Sequence, residues 1–175
     1  NPDMIIPGHG VIWRSHTADI LDAYESWSSK TPETGALVVF DSMWHSTELM
    51  AQAIAEGFSR KQVPVHLVDL KTEHISDILP FVLDCKYIAA GSPTLNNNMM
   101  PNMAAFLCYL KGLSPKKREA FAFGSYGWGG QSVAQVEEEL VKCGFNICMD
   151  KIRIQYVPTK EQLLEIESKV EALVS

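Results

Sequence analysis

The sequence predicts an α/β fold, a doubly wound five-stranded parallel sheet. Three observations carry that prediction. From Ala36 onward, five short apolar runs alternate with five longer amphipathic segments. The first, Ala36-Leu37-Val38-Val39-Phe40, is unbroken, which is the pattern of a strand covered on both faces. Several runs also end in polar or Gly-rich loops, the place where such sheets hold ligands. Alternation of this kind implies right-handed crossovers and leaves the strand order open.

Each element has a local reason. Near the start, Met4-Ile5-Ile6 reads as a short strand running into Pro7-Gly8-His9-Gly10. Asn1 stands where an initiator methionine would, so the chain does not read as beginning like a complete protein. A helix is expected over 17–27, with Thr17 as its cap and Ile20, Leu21, Tyr24 and Trp27 at helical spacing. Ser28 to Gly35, carrying Pro32, reads as a linker and marks a domain boundary. Strands are then expected at 36–40, 64–70, 87–91, 120–124 and within 145–156, the last bending near Asp150. Helices are expected at 49–58, 74–83, 103–110, 132–141 and 160–174, with Pro80 interrupting the second.

Composition narrows the function. Lys plus Arg number 15 against 21 Asp plus Glu, a net charge of −6. No basic run relieves it, which argues against nucleic-acid and anionic-membrane partners. With 46% hydrophobic and 21% charged residues the chain is ordinary globular material. No apolar run is long enough to span a bilayer, and the N-terminus lacks the basic and apolar regions of a signal peptide. Cys85, Cys108, Cys143 and Cys148 show no C-x-x-C spacing and read as buried thiols in a reducing cytoplasm.

Three loops at expected strand ends carry the chemistry. The first holds Ser42, Met43, Trp44, His45, Ser46 and Thr47. Its hydroxyls and the free N–H groups of a helix start suit a phosphate monoester, while simple helix capping is the plain reading. The loop lacks G-x-x-x-x-G-K-[ST] and G-x-G-x-x-G, so nucleoside-triphosphatase and dinucleotide fingerprints are both missing. The second loop, Ser92, Pro93, Thr94, Leu95, Asn96 and Asn97, offers amides for the edge of a polar heterocycle, or an ordinary Asn/Pro turn. The third, Ser125, Tyr126, Gly127, Trp128, Gly129 and Gly130, sets aromatic rings among glycines, suited to stacking on a flat ring or to packing inward. Trp44 is a second candidate for stacking, and His45 a candidate for the phosphate or its sugar chain. No Ser-His-Asp or Cys-His order stands out, and no catalytic residue is assigned. His16, His66 and His74 read as surface residues without partners.

Together these loops resemble those of flavodiiron proteins (A-type flavoproteins). The stretch Asp41 to Glu48 resembles their D-S-M-W-x-S-T-E form of the flavodoxin phosphate loop, with Trp44 and His45 departing from the T-x-T-G-x-T of simple flavodoxins. G-S-P-T-x-N-N and S-Y-G-W-G-G resemble that family as well. The resemblance implies that residues 36–175 form a flavodoxin-like FMN-binding domain, 31–35 a linker, and 1–30 the C-terminal remnant of a metallo-β-lactamase-like di-iron domain. His9 then matches that domain's last iron ligand, and would bind metal only in the full-length protein. Alone it cannot build a di-iron site and reads as a solvated loop histidine.

Function follows from the same resemblance. It implies non-covalent FMN that relays electrons to a di-iron centre, which reduces oxygen to water or nitric oxide to nitrous oxide. The expected donor is rubredoxin or another reductase, and the expected assembly is a head-to-tail homodimer of the full-length protein in the cytoplasm. The fragment alone would be an electron carrier. A free-standing flavodoxin or an FMN-dependent quinone-reductase-like protein is the alternative. A response-regulator receiver would need an acidic pair after the first strand, where only Asp41 stands.

Overall fold

Parallel pairing of β1 (Ala36–Phe40) with both β2 (Val65–Asp69) and β3 (Tyr87–Gly91) forms the heart of the sheet. The computed structural model describes residues 2–29, 32–113, 115 and 117–174. β3 pairs in turn with β4 (Glu119–Tyr126), whose far side carries β5 (Asn146–Ile147) and then β6 (Ile152–Gln155). All of these pairings are parallel, and the order is β2-β1-β3-β4 with β5 and β6 sharing the last edge. The winding reverses at β1, whose two neighbours are the second and third strands. Such a reversal opens a crevice at the carboxyl ends of the strands.

Helices cover both faces. On one side α2 (Ser46–Arg60) and α6 (Lys160–Leu173) meet Val38, Phe40, Ala89 and Phe121 of the sheet through Met50, Ile54, Phe58, Ile166 and Val170. On the other, α3 (Ile75–Asp84), α4 (Pro101–Leu113) and α5 (Gln131–Lys142) pack on Leu37, Val39, Ile88 and Ala122. Successive residues of a strand point to opposite faces, so the unbroken apolar run of β1 feeds both cores. Burial of each Leu, Val or Phe there contributes ~1.5–3 kcal/mol.

The expected elements are present, with differences that have physical reasons. The fifth strand is two segments. Asn146 lies opposite Glu119, whereas Ile152 lies opposite Phe123, so two extra residues loop out between them. The break falls at the bend expected near Asp150, and the sheet has six strand segments. Pro80 does not interrupt α3, because Ile78 and Val82 anchor that helix in the core on either side of it. The histidines have partners: His16 Nδ1 lies 2.8 Å from Asp19, His66 stacks on Phe81 at 4.0 Å, and the His74 ring accepts from Ser76 N–H at the start of α3. The cysteines are not all buried; Cys108 is exposed and Cys148 half-buried. Desolvation pushes the thiols of Cys85, Cys143 and Cys148 up to about 11.

The chain divides into two compact units, Asn1–Thr31 and Pro32–Ser175. Asn1, Lys30, Thr31 and Ser175, at the bounds of the expected domains and linker, lie outside the described residues. Within the first unit, the expected strand at Met4–Ile6 is a single antiparallel bridge between Ile5 and Trp13, whose backbones exchange two 3.0 Å hydrogen bonds. The turn it closes contains His9, which is exposed. α1 (Thr17–Ser29) follows, with Leu21, Tyr24 and Trp27 exposed and the last two rings in edge contact.

Candidate functional site

The carboxyl ends of β1, β3, β4 and β6 converge on one cleft. It is lined by Ser42, Met43, Trp44, Ser46, Pro93, Thr94, Ser125, Tyr126, Gly127 and Tyr156.

The first loop is built around a left-handed residue. His45 takes φ 65° and directs the chain into α2, with no side chain capping the first N–H groups of that helix. Its ring turns outward to Glu48, 2.7 Å away, and is mostly exposed. The helix start at Ser46 thus offers uncapped donors beside the cleft. Ser42 is buried, and its hydroxyl makes no hydrogen bond among the described residues. A buried unpaired hydroxyl costs free energy unless something binds it. Asp41 is also buried, and its Oδ1 accepts from Ser42 N–H at 2.8 Å. Desolvation raises the Asp41 pKa above the ordinary carboxyl value, with Lys71 opposing that effect.

Thr47 does something different from its neighbour. Its hydroxyl is spent on β4, 2.9 Å from Ser125 Oγ and within reach of Ser125 N–H. The second loop is tied in the same way. Thr94 Oγ1 lies 2.9 Å from Ser132 Oγ, and the Ser132 hydroxyl donates to the Ser92 carbonyl. The Ser92 hydroxyl accepts from Met100 N–H and donates to the Pro93 carbonyl. These hydroxyl pairs bolt the loops to each other and to the start of α5.

Asn96 and Asn97 form a two-residue turn with φ 50° and 61°, closed by reciprocal 2.8 Å bonds between Leu95 and Asn98. Two successive positive φ values favour Asn, and this explains the pair without a ligand. Gln135 pins the turn through Met99 N–H and the Asn97 carbonyl. In the third loop Trp128 is 98% exposed, and in the first loop Trp44 is 84% exposed. Large rings this bare are suited to a flat partner.

Of the predicted residues, Ser42, Met43, Trp44, Ser46, Pro93, Thr94, Ser125, Tyr126 and Gly127 come together in the lining. His45, Thr47, Ser92, Leu95, Asn96, Asn97, Trp128, Gly129 and Gly130 stand outside it, as supports or on the neighbouring loop surface. Sequence reasoning missed Tyr156, which lines the cleft with φ 63° and 61% exposure, its N–H bound to the Tyr126 carbonyl. Its position just past the last strand was the available signal. Missed too were Ser132, Gln135 and Lys71, whose ammonium donates to the Ser42 carbonyl. No cluster of three His, Cys, Asp or Glu side chains suited to a metal occurs among the described residues. Nor is any helix among them long and apolar enough to cross a membrane.

Comparison with known proteins bears on this cleft. The Flavodoxin family profile matches residues 38–168. A nitric oxide reductase of Moorella thermoacetica is 34% identical over 175 residues, 98% of this chain and 44% of that protein. The solved rubredoxin oxygen:oxidoreductase from Desulfovibrio gigas superposes with a TM-score of 0.92 at 34% identity, over 99% of this chain and 44% of the other. The flavodiiron protein from Giardia intestinalis gives 0.89 at 31% identity, over 98% of this chain and 43% of its own. The chain thus spans less than half the length of these relatives, which are named oxidoreductases or flavodiiron proteins.

Proposed function

We propose a function from one premise: the chain belongs to the flavodoxin family. The cleft holds one FMN per chain, and the chain serves as the electron-relay part of a longer flavodiiron oxygen or nitric oxide reductase. One observation carries the binding assignment. The buried, unpaired Ser42 hydroxyl stands beside the uncapped start of α2, at one end of a cleft flanked by exposed rings. These residues fit a phosphate on a flat heterocycle.

Ser42, Ser46 and the loop N–H groups would hold the phosphate, and Trp44, Tyr126, Trp128 and Tyr156 would flank the ring. Bound FMN supplies one- and two-electron transfer. The protein's own part is to orient the ring, leave one edge accessible, and keep the phosphate in a fixed cradle. Neutral donors do this without a lysine or arginine in the loop itself.

In the longer protein, electrons would arrive from a rubredoxin-type donor or another cytoplasmic reductase and leave for a di-iron centre. The names of the relatives support this reading. Residues 1–30 would be the tail of the di-iron domain, with His9 supplying one ligand there and a second chain completing a head-to-tail dimer. The likeness to these relatives includes the N-terminal unit, which a free-standing flavodoxin leaves unexplained.

Flavin titration tests the assignment. The apoprotein should bind one FMN, quench its fluorescence, and turn yellow. A protein that fails to bind FMN at micromolar concentrations, although folded by circular dichroism, overturns it.

A further inference from the structure

We infer that Lys71, outside the cleft, is a positioning residue that fixes the Ser42–Met43 peptide so that the Met43 N–H faces the phosphate. The inference rests on the FMN reading above. It starts from register. β1 and β2 pair Ala36 with Val65 through Phe40 with Asp69, and the Leu70 N–H still donates to the Phe40 carbonyl at 2.9 Å beyond that. The same 29-residue offset sets Lys71 opposite Ser42, and its ammonium donates to the Ser42 carbonyl.

Asp69 shapes the turn that makes this possible. Its Oδ1 accepts from Lys71 N–H at 2.9 Å, and its carbonyl accepts from Thr72 N–H. Lys71 is therefore presented by a closed turn at the edge of the sheet.

Direction follows from peptide geometry. The carbonyls of Phe40 and Ser42 both point toward β2, two residues apart, as an extended chain requires. The intervening Asp41 N–H points the other way and donates to the Gly91 carbonyl of β3. In a planar trans peptide, C=O and N–H are opposed. The Met43 N–H, opposed to the Ser42 carbonyl, therefore points to the β3 side. Pro93, Thr94 and Ser125 place the cleft on that side. A cation on the carbonyl also polarises the peptide and strengthens its N–H as a donor. The loop has no lysine or arginine of its own, so Lys71 acts on the phosphate through one peptide bond.

The test compares FMN with riboflavin, which lacks the phosphate. Affinities are measured by fluorescence quenching for the parent, Lys71→Met and Lys71→Arg. Lys71→Met should weaken FMN about tenfold, the loss expected for one hydrogen bond to a charged group. Riboflavin affinity should stay unchanged, and Lys71→Arg should restore most of the FMN affinity. Equal FMN affinity in Lys71→Met and parent overturns the inference. So does an equal loss for both flavins, or an arginine variant as impaired as the methionine one. A parent protein that binds neither flavin overturns the FMN reading instead.

Discussion

Ser42 and Thr47 lie in one loop and use their hydroxyls for opposite purposes. Ser42 keeps its own unpaired and buried, whereas Thr47 bonds it to Ser125. Ser42→Ala should leave the apoprotein as stable as before or slightly more so, yet weaken FMN about tenfold by removing a donor to a charged group. Thr47→Val should do the reverse first: it strands the Ser125 hydroxyl and costs about 1–3 kcal/mol in urea unfolding. Asp41 gives a pH signature. Its folded-state pKa is raised above 3.8, mainly by desolvation, so its contribution favours the fold only while it is protonated in both states. That contribution is lost as pH rises through the raised value. Asp41→Asn should therefore gain on the parent toward neutral pH, with the gain closing at and below 3.8, read from urea midpoints across pH. The loop that brings Ser42 to the cleft and the bare ring of Trp128, which stands outside its lining, follow local signals in the sequence, hydroxyls ahead of a helix and rings among glycines. Lys71, Gln135 and Tyr156 do not. Their roles depend on which strand lies beside which, and alternation of elements does not encode that.

At the scale of the elements, β3 and β4 approach so closely that two glycines are required. A Cβ on Gly124 would lie 2.0 Å from the Ser92 carbonyl oxygen, and one on Gly91 would meet the Phe123 ring at 2.2 Å. The Ser92 carbonyl is backbone and cannot yield cheaply. Gly124→Ala should cost about 1–3 kcal/mol of stability by overpacking and also weaken flavin binding, since it forces the second loop from the third. Denaturant unfolding and flavin titration on the same variant would show both. β1 and β3 read well from sequence because short apolar runs buried on both faces have few alternatives. The bend expected near Asp150 falls between β5 and β6, whereas the two looped-out residues show only in the pairing partner. Pro80 misled in the opposite way: a strong local breaker was overridden by Ile78 and Val82 in the core.

For the whole molecule, every residue lining the cleft lies in the unit Pro32–Ser175, which also holds both hydrophobic cores. A protein starting at residue 32 should therefore fold and bind FMN with unchanged affinity. Loss of flavin binding by a folded truncated protein would show that the first unit contributes to the site. Ligand linkage gives a further measure. FMN at a hundredfold its dissociation constant should add about 2.7 kcal/mol to the unfolding free energy, whereas the Ser42→Ala variant at the same FMN concentration should gain less.

The spread of the cleft along the chain, from Ser42 to Tyr156, also sets a timetable. A nascent chain that has formed only β1 to β3 presents a phosphate loop with no third wall. Tyr126 and Tyr156 arrive later, when β4 and β6 join the sheet. Parallel pairings are non-local and close slowly. In refolding, flavin quenching should therefore trail the recovery of helical circular dichroism, so the cofactor would reach a nearly finished protein instead of seeding its formation.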